Sequence, residues 1–258
     1  MIKTSIAISS DGKETGTLLR EYLQARGVYS DKGPALVCYG TNGMGSPALN
    51  ASCRSDKIKR MQAMGKAGVR LVPWAIGREA FNLQLPLFAR KLYGYGAKDL
   101  MPVFQADEIP WRIAAGWEWF SSIVPIHQEL RVWVWRDEVL QGFAKRMRRP
   151  ADYKSMGRNF GQGFEFEPIT ILASGDIGQQ AIRATKALHL DFSAIDMIEG
   201  EDGHVYTLEA NTAPGAIRSG AQDTLAALAD RIADWAQNDC PARSGATRIA
   251  KTDSPERS

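Results

Sequence analysis

Cysteine and long apolar runs are both scarce in this chain, and each scarcity removes a class of protein. The 258 residues hold three cysteines, Cys38, Cys53 and Cys240, widely spaced and with no CxxC pair. Three cysteines cannot pair completely within one chain, and the spacing suits no zinc site. Reduced thiols in a cytoplasmic setting are therefore expected. No apolar stretch approaches the ~20 residues of a membrane-crossing helix, and residues 1–5 open on no apolar signal core. Neither GxGxxG nor GxxxxGK occurs, so the glycines between residues 40 and 47 read as a turn rather than a phosphate loop. The net charge of +3 is too small to indicate a nucleic-acid partner by itself.

What is present is an ordinary globular composition, 44% hydrophobic and 24% charged. Residues 4–9 read as a strand. Residues 16–26, with Leu18, Leu19, Tyr22 and Leu23 at helical spacing and Gly27 as cap, read as a helix. Residues 34–39 form a continuous apolar run, as in a parallel strand buried on both faces. A second helix over 55–68 starts at Ser55 or Asp56 and carries Ile58, Met61, Met64 and Ala67 on one stripe. A strand over 69–73 follows. The order βαβαβ to about residue 75 predicts a small parallel α/β lobe.

Further along, residues 129–146 read as a hairpin with its turn at Asp137–Glu138. Arg131, Trp133 and Trp135 fall on one face, and Val132 and Val134 on the other. Residues 174–189 and 220–235 are amphipathic helices. Beyond about residue 238 the apolar content vanishes, and a disordered tail over 239–258 is expected.

The densest chemistry lies between residues 191 and 215. Two strand patterns flank a polar turn containing Asp202-Gly203. Pairing them can bring Asp196 level with Glu209 and Asn211. Two carboxylates and an amide oxygen are hard ligands suited to magnesium that also holds phosphates. The same residues would also suit a plain acidic hairpin facing water.

The order of these residues resembles the ATP-grasp superfamily, in particular the branch of the ribosomal protein S6 glutamate ligase. That branch carries Leu-Asp-Phe-x-x-x-Asp before Leu-Glu-x-Asn-x-x-Pro-Gly, matched here at residues 190–196 and 208–215. The resemblance implies an α/β ATP-grasp fold with an N-terminal lobe (1–75), a reduced central lobe with a glycine-containing lid (76–120) and a C-terminal lobe with a metal site (121–238). ATP would lie between the last two lobes. It further implies a carboxylate–amine ligase using ATP and magnesium, with manganese as a substitute, acting through an acyl phosphate. Asp196, Glu209 and Asn211 would hold the metal. Lys57, Arg90, Lys91, Gly94 and Gly96 would meet the nucleotide phosphates, with Arg90 standing where the family has lysine. Trp119 and Phe120 would line the adenine slot. Arg131 and Lys145 would act at the transferred group, and Arg158 and Asn159 would touch substrate.

The partners implied are a carboxylate and an amine, with a peptide or protein terminus as one acceptor, and no membrane. Two other readings stay open. One is an ATP-dependent phosphotransferase that stops before amide formation. The other is a nucleotide- or nucleic-acid-binding protein with degenerate catalysis, suggested by the basic run at residues 145–149 beside tryptophans.

Overall fold

The computed structural model describes residues 6–10, 14–33, 35–41, 48–51, 56–91, 100–147, 163–217 and 219–240. Three sheets organise them. The first is parallel, in the order β1 (Ile6–Ser10), β2 (Ala35–Tyr39), β3 (Ala48–Leu49). Helix α1 (Glu14–Ala25) connects β1 to β2, as the leucine spacing predicts. Helix α2 (Lys57–Lys66) starts where Asp56 accepts from the Ile58 and Lys59 amides, satisfying helix-end donors that would otherwise lack partners.

The expected strand over 69–73 does not join this sheet. Its backbone lies along the outer strand of the largest sheet, where Leu71 bridges Thr207 and the Thr207 amide donates to Arg70 O. Val69 is buried there and Leu71 packs against the same core. The short β3 takes the third place in the first sheet.

The second sheet is antiparallel, in the order β4 (Trp74–Ile76), β7 (Trp119–Ser122), β5 (Leu87–Arg90), β6 (Leu100–Val103). A 3-10 turn (Gly77–Asn82) and helix α3 (Glu108–Ala114) complete it around Leu87, Val103, Ile109 and Phe120. The third sheet is antiparallel and has five strands, ordered β10 (Phe164–Ile169), β9 (Glu138–Met147), β8 (Ile126–Trp135), β11 (Phe192–Gly200), β12 (Val205–Asn211).

Side-chain alternation divides that sheet cleanly. Leu130, Val132, Val134, Ile195 and Met197 share a core with helix α4 (Asp176–Ala187) and with Met61 and Met64 of α2. Trp133, Trp135, Phe143, Phe192 and Ala194 share a core with the first sheet and with helix α5 (Gln222–Asp234). Along β8 the second face reads Trp135, Trp133, Arg131, Glu129. The apolar half is covered by α5 and the first sheet, and the charged half follows it. Among the described residues no helix is long and apolar enough to cross a membrane. The tail from residue 241 lies outside the described residues.

Candidate active site

Strand pairing assembles the charged half. Asp196 on β11 stands between Arg131 on β8 and Glu209 on β12. The pairing with Glu209 depends on a bulge. Met197 pairs with Thr207, but Asp196 pairs with Glu209, leaving Leu208 as the extra residue. A bulge re-aims side chains in this way, and here it sets Glu209 on the face of Asp196. Ala194 pairs with Asn211, so Asn211 shares that face. A second bulge, in the β8–β9 hairpin at Trp133/Val134, sets Arg131 opposite Phe143 and Glu129 opposite Lys145.

The carboxylate of Asp196 is almost fully enclosed. Arg131 clamps it with two hydrogen bonds, Nε to Oδ1 and Nη2 to Oδ2, each 2.8 Å. Asn211 Nδ2 donates to Oδ2 at 2.8 Å, and Lys145 Nζ lies 3.3 Å from Oδ1. Lys145 also donates to Glu129. Phe166 on β10 lies against both cations, its ring centroid 5.1 Å from Arg131 Cζ and 5.9 Å from Lys145 Nζ. Burial pushes the Asp196 carboxyl up, but Arg131 and then Lys145 outweigh it and hold it well below the usual carboxylate range. Burial pulls the Arg131 guanidinium down, and Asp196 and the nearby acids more than reverse this.

Arg90, at the end of β5, faces this cluster from the second sheet. Its guanidinium stacks over Trp119, 5.0 Å from the ring centroid, and Trp119 is its cross-strand neighbour. Its Nε is buried and makes no hydrogen bond. Burial lowers the Arg90 pKa, and the charge of Glu209 partly restores it. A buried, unpaired guanidinium N–H next to an exposed carboxylate fits an incoming anion such as a phosphate oxygen. Lys91 lies over Trp117 at 5.4 Å.

The donor set also fits magnesium in type. Asp196, Glu209 and Asn211 offer oxygen ligands on one face, and Asn211 would present its oxygen after a half-turn of its amide. Among the described residues no three His, Cys, Asp or Glu side chains converge on one point. A metal here would therefore draw mainly on phosphate oxygens, as magnesium commonly does.

The structure thus brings together Arg131, Lys145, Asp196 and Asn211, with Glu209 and Arg90 beside them. Other expected residues stand elsewhere. Phe120 is fully buried within the core of the second sheet. Trp119 is buried too, and its exposed-side partner is Arg90. Lys57 is the first residue of α2, whose Met61 and Met64 pack into the core under the opposite sheet face. Gly94, Gly96, Arg158 and Asn159 lie outside the described residues. Glu129 and Phe166 are site residues that the sequence reading did not select. Glu129 could have been found from the hairpin, but only with the bulge, since an unbroken register would set it opposite Ala144.

Comparison with known proteins agrees with the fold. Residues 124–236 match the family described as the RimK-like ATP-grasp domain. No curated protein sequence matches the chain. Among solved structures, the ATP-grasp ligase PsnB complexed with its precursor peptide and AMPPNP superposes with a TM-score of 0.69 at 14% identity. That match covers 91% of this chain and 98% of that one. A RiPP-associated ATP-grasp ligase from Chryseobacterium gregarium, in complex with ADP and a leader and core peptide, gives 0.62 at 13% identity, covering 90% and 98%. A RimK domain protein from Sphaerobacter thermophilus gives 0.60 at 18% identity, covering 88% and 98%. The chain has the ATP-grasp fold, and its residues 124–236 are similar to the RimK-like ATP-grasp domain.

Proposed function

We propose that the protein is an ATP-dependent carboxylate–amine ligase that forms an amide through an acyl phosphate. The observation that carries this reading is the charged half-face itself. Asp196, Glu209 and Asn211 adjoin Arg131, Lys145 and Arg90 within a RimK-like ATP-grasp domain. Asp196, Glu209 and Asn211 would hold magnesium, which when bound would neutralise charge on the nucleotide phosphates.

The remaining work falls to side chains of this chain. Arg90 binds phosphate through the N–H groups not used against Trp119. Arg131 and Lys145 stabilise negative charge as the γ-phosphoryl group moves from ATP to a substrate carboxylate oxygen, giving ADP and an acyl phosphate. An amine nitrogen then attacks the acyl carbon, inorganic phosphate leaves, and the amine proton passes to solvent. Such transfer needs positioning and fixed charge, not a protein nucleophile. A peptide carboxylate is the substrate class we favour, because the solved PsnB and Chryseobacterium ligases are complexed with peptides.

One observation favours a second reading. Both oxygens of Asp196 are already engaged by Arg131, Lys145 and Asn211, which suits a nucleotide-binding protein without turnover. The test that separates them starts with melting. Millimolar ATP with magnesium is expected to raise the melting temperature, since a ligand of the folded state stabilises it by mass action. Phosphate release is then screened over amino acids and peptides, with mass analysis for an added amide. No thermal shift would remove both readings; a shift with no phosphate release for any acceptor would leave the second.

A further inference from the structure

Arg90 carries a phosphate contact in the reading above, yet its buried Nε has no hydrogen-bond partner among the described residues. A long side chain that is free to turn loses rotamer freedom when an anion fixes it, and that loss subtracts from affinity. Trp119 removes much of that freedom beforehand. The two residues are direct cross-strand neighbours on β5 and β7, and the guanidinium carbon lies 5.0 Å from the centroid of the indole. Trp119 is only 5% exposed and shares a core with Met61 and Met64 of α2 and with Leu130 and Val132 of β8. Its own Nε1 is buried without a hydrogen-bond partner among the described residues, so packing alone fixes the ring. A rigid, desolvated aromatic face therefore backs a cation whose Nε donor stays uncommitted. Attraction between a cation and a ring is strongest where water is excluded. A guanidinium suits such a face because it is weakly hydrated, whereas an ammonium keeps its water. On the site side, Glu209 lies close enough for its charge to act on Arg90.

Resting on the ligase reading, we propose that Trp119 is a positioning residue that holds the Arg90 guanidinium ready for the nucleotide phosphates and touches no ligand itself. Trp119 then acts on nucleotide affinity only through Arg90. A tryptophan that merely filled the core would act on stability alone. One that lined an adenine slot would act on affinity whether or not Arg90 is present. The dependence of the Trp119 effect on Arg90 is what separates the three roles.

The test is calorimetric titration of ATP with magnesium chloride into the full chain, after the melting temperature of each variant has been recorded. Trp119→Leu is expected to weaken ATP binding about tenfold. Trp119→Phe keeps an aromatic face and is expected to stay within about threefold of wild type. In an Arg90→Met background, Trp119→Leu is expected to add less than about twofold, because its effect passes through Arg90. The fall in melting temperature caused by Trp119→Leu comes from the emptied core and is expected in both backgrounds. A Trp119→Leu protein with wild-type ATP affinity would overturn the proposal and leave the ligase reading standing. A Trp119→Phe protein as weak as Trp119→Leu would also overturn it. So would the full Trp119→Leu loss persisting in Arg90→Met, the mark of a ring that meets the nucleotide itself. If Trp119→Leu does not fold, Trp119→Met fills more of the space without an aromatic face and carries the same expectations. Wild type binding no ATP would end the ligase reading and this proposal with it.

Discussion

Asp196 holds two cations in place, and its substitution tests that role. Asp196→Asn removes the charge that Arg131 clamps and Lys145 faces, in a nearly enclosed site. Removing one partner of a buried ion pair costs about 3–5 kcal/mol, so the variant should unfold at markedly lower urea concentration than wild type. The pH dependence has a definite sign. The folded-state pKa of Asp196 is depressed, so its stabilisation is present above the unfolded value of about 3.9 and is lost only as pH falls through the lower folded value. Denaturation midpoints between pH 5 and 8 should not respond to this group, and the acid limb of wild type should be steeper than that of Asp196→Asn. Arg90 makes a different test, since its buried Nε has no partner. Losing a charge-assisted hydrogen bond costs about 1.5–3 kcal/mol, so Arg90→Ala should weaken ATP binding at least tenfold. Arg90→Lys keeps the charge without the fork and should retain part of that affinity. Equal affinity in all three proteins would place the phosphate cation elsewhere.

Among the elements, the strands that build the site were largely legible in the sequence and their registers were not. Alternation along residues 131–135 separates the tryptophans from the valines, and the two cores divide in that way. The polar turn with Asp202-Gly203 likewise predicts β11 and β12, with Gly203 at a φ of 76° that favours glycine. Bulges are another matter. An extra residue leaves no local mark in the alternation, yet Leu208 decides which side chain faces Asp196, and the Trp133/Val134 bulge decides that Glu129 meets Lys145. The segment over 69–73 has the composition of a buried strand, but composition does not say which sheet it joins. Helix α4 gives an independent check of the packing below the site. A Cβ on Gly178 would stand 2.3 Å from Leu172 O and 2.8 Å from Ala173 Cα, both backbone atoms that move only with the chain. Overpacking of this kind costs about 1–3 kcal/mol, so Gly178→Ala should lower the melting temperature, with little change in nucleotide affinity for the folded protein. An unaltered melting temperature would mean that this turn is loosely packed.

At the scale of the whole molecule, the sheets place an arginine of the second sheet opposite an acidic pair of the third, and the ligase reading rests on that meeting. The resemblance in residues 190–196 and 208–215 pointed to the pair, and the structure adds the ring of cations that binds Asp196 in place. Glu209 differs from Asp196 in being exposed, with Arg90 and Arg131 as its electrostatic neighbours. It is the carboxylate most available to a metal, and its substitution disturbs the buried network least. Glu201 is also exposed, in the turn between the same two strands, away from that network. The most direct measurement is therefore magnesium-dependent ATP turnover of Glu209→Gln beside Glu201→Gln, with melting temperatures recorded for both. The account predicts that Glu209→Gln melts close to wild type and loses turnover by at least about a hundredfold, the scale of removing a principal stabiliser of transferred charge, while Glu201→Gln keeps full turnover. A Glu209→Gln protein that turns over ATP at the wild-type rate would contradict it.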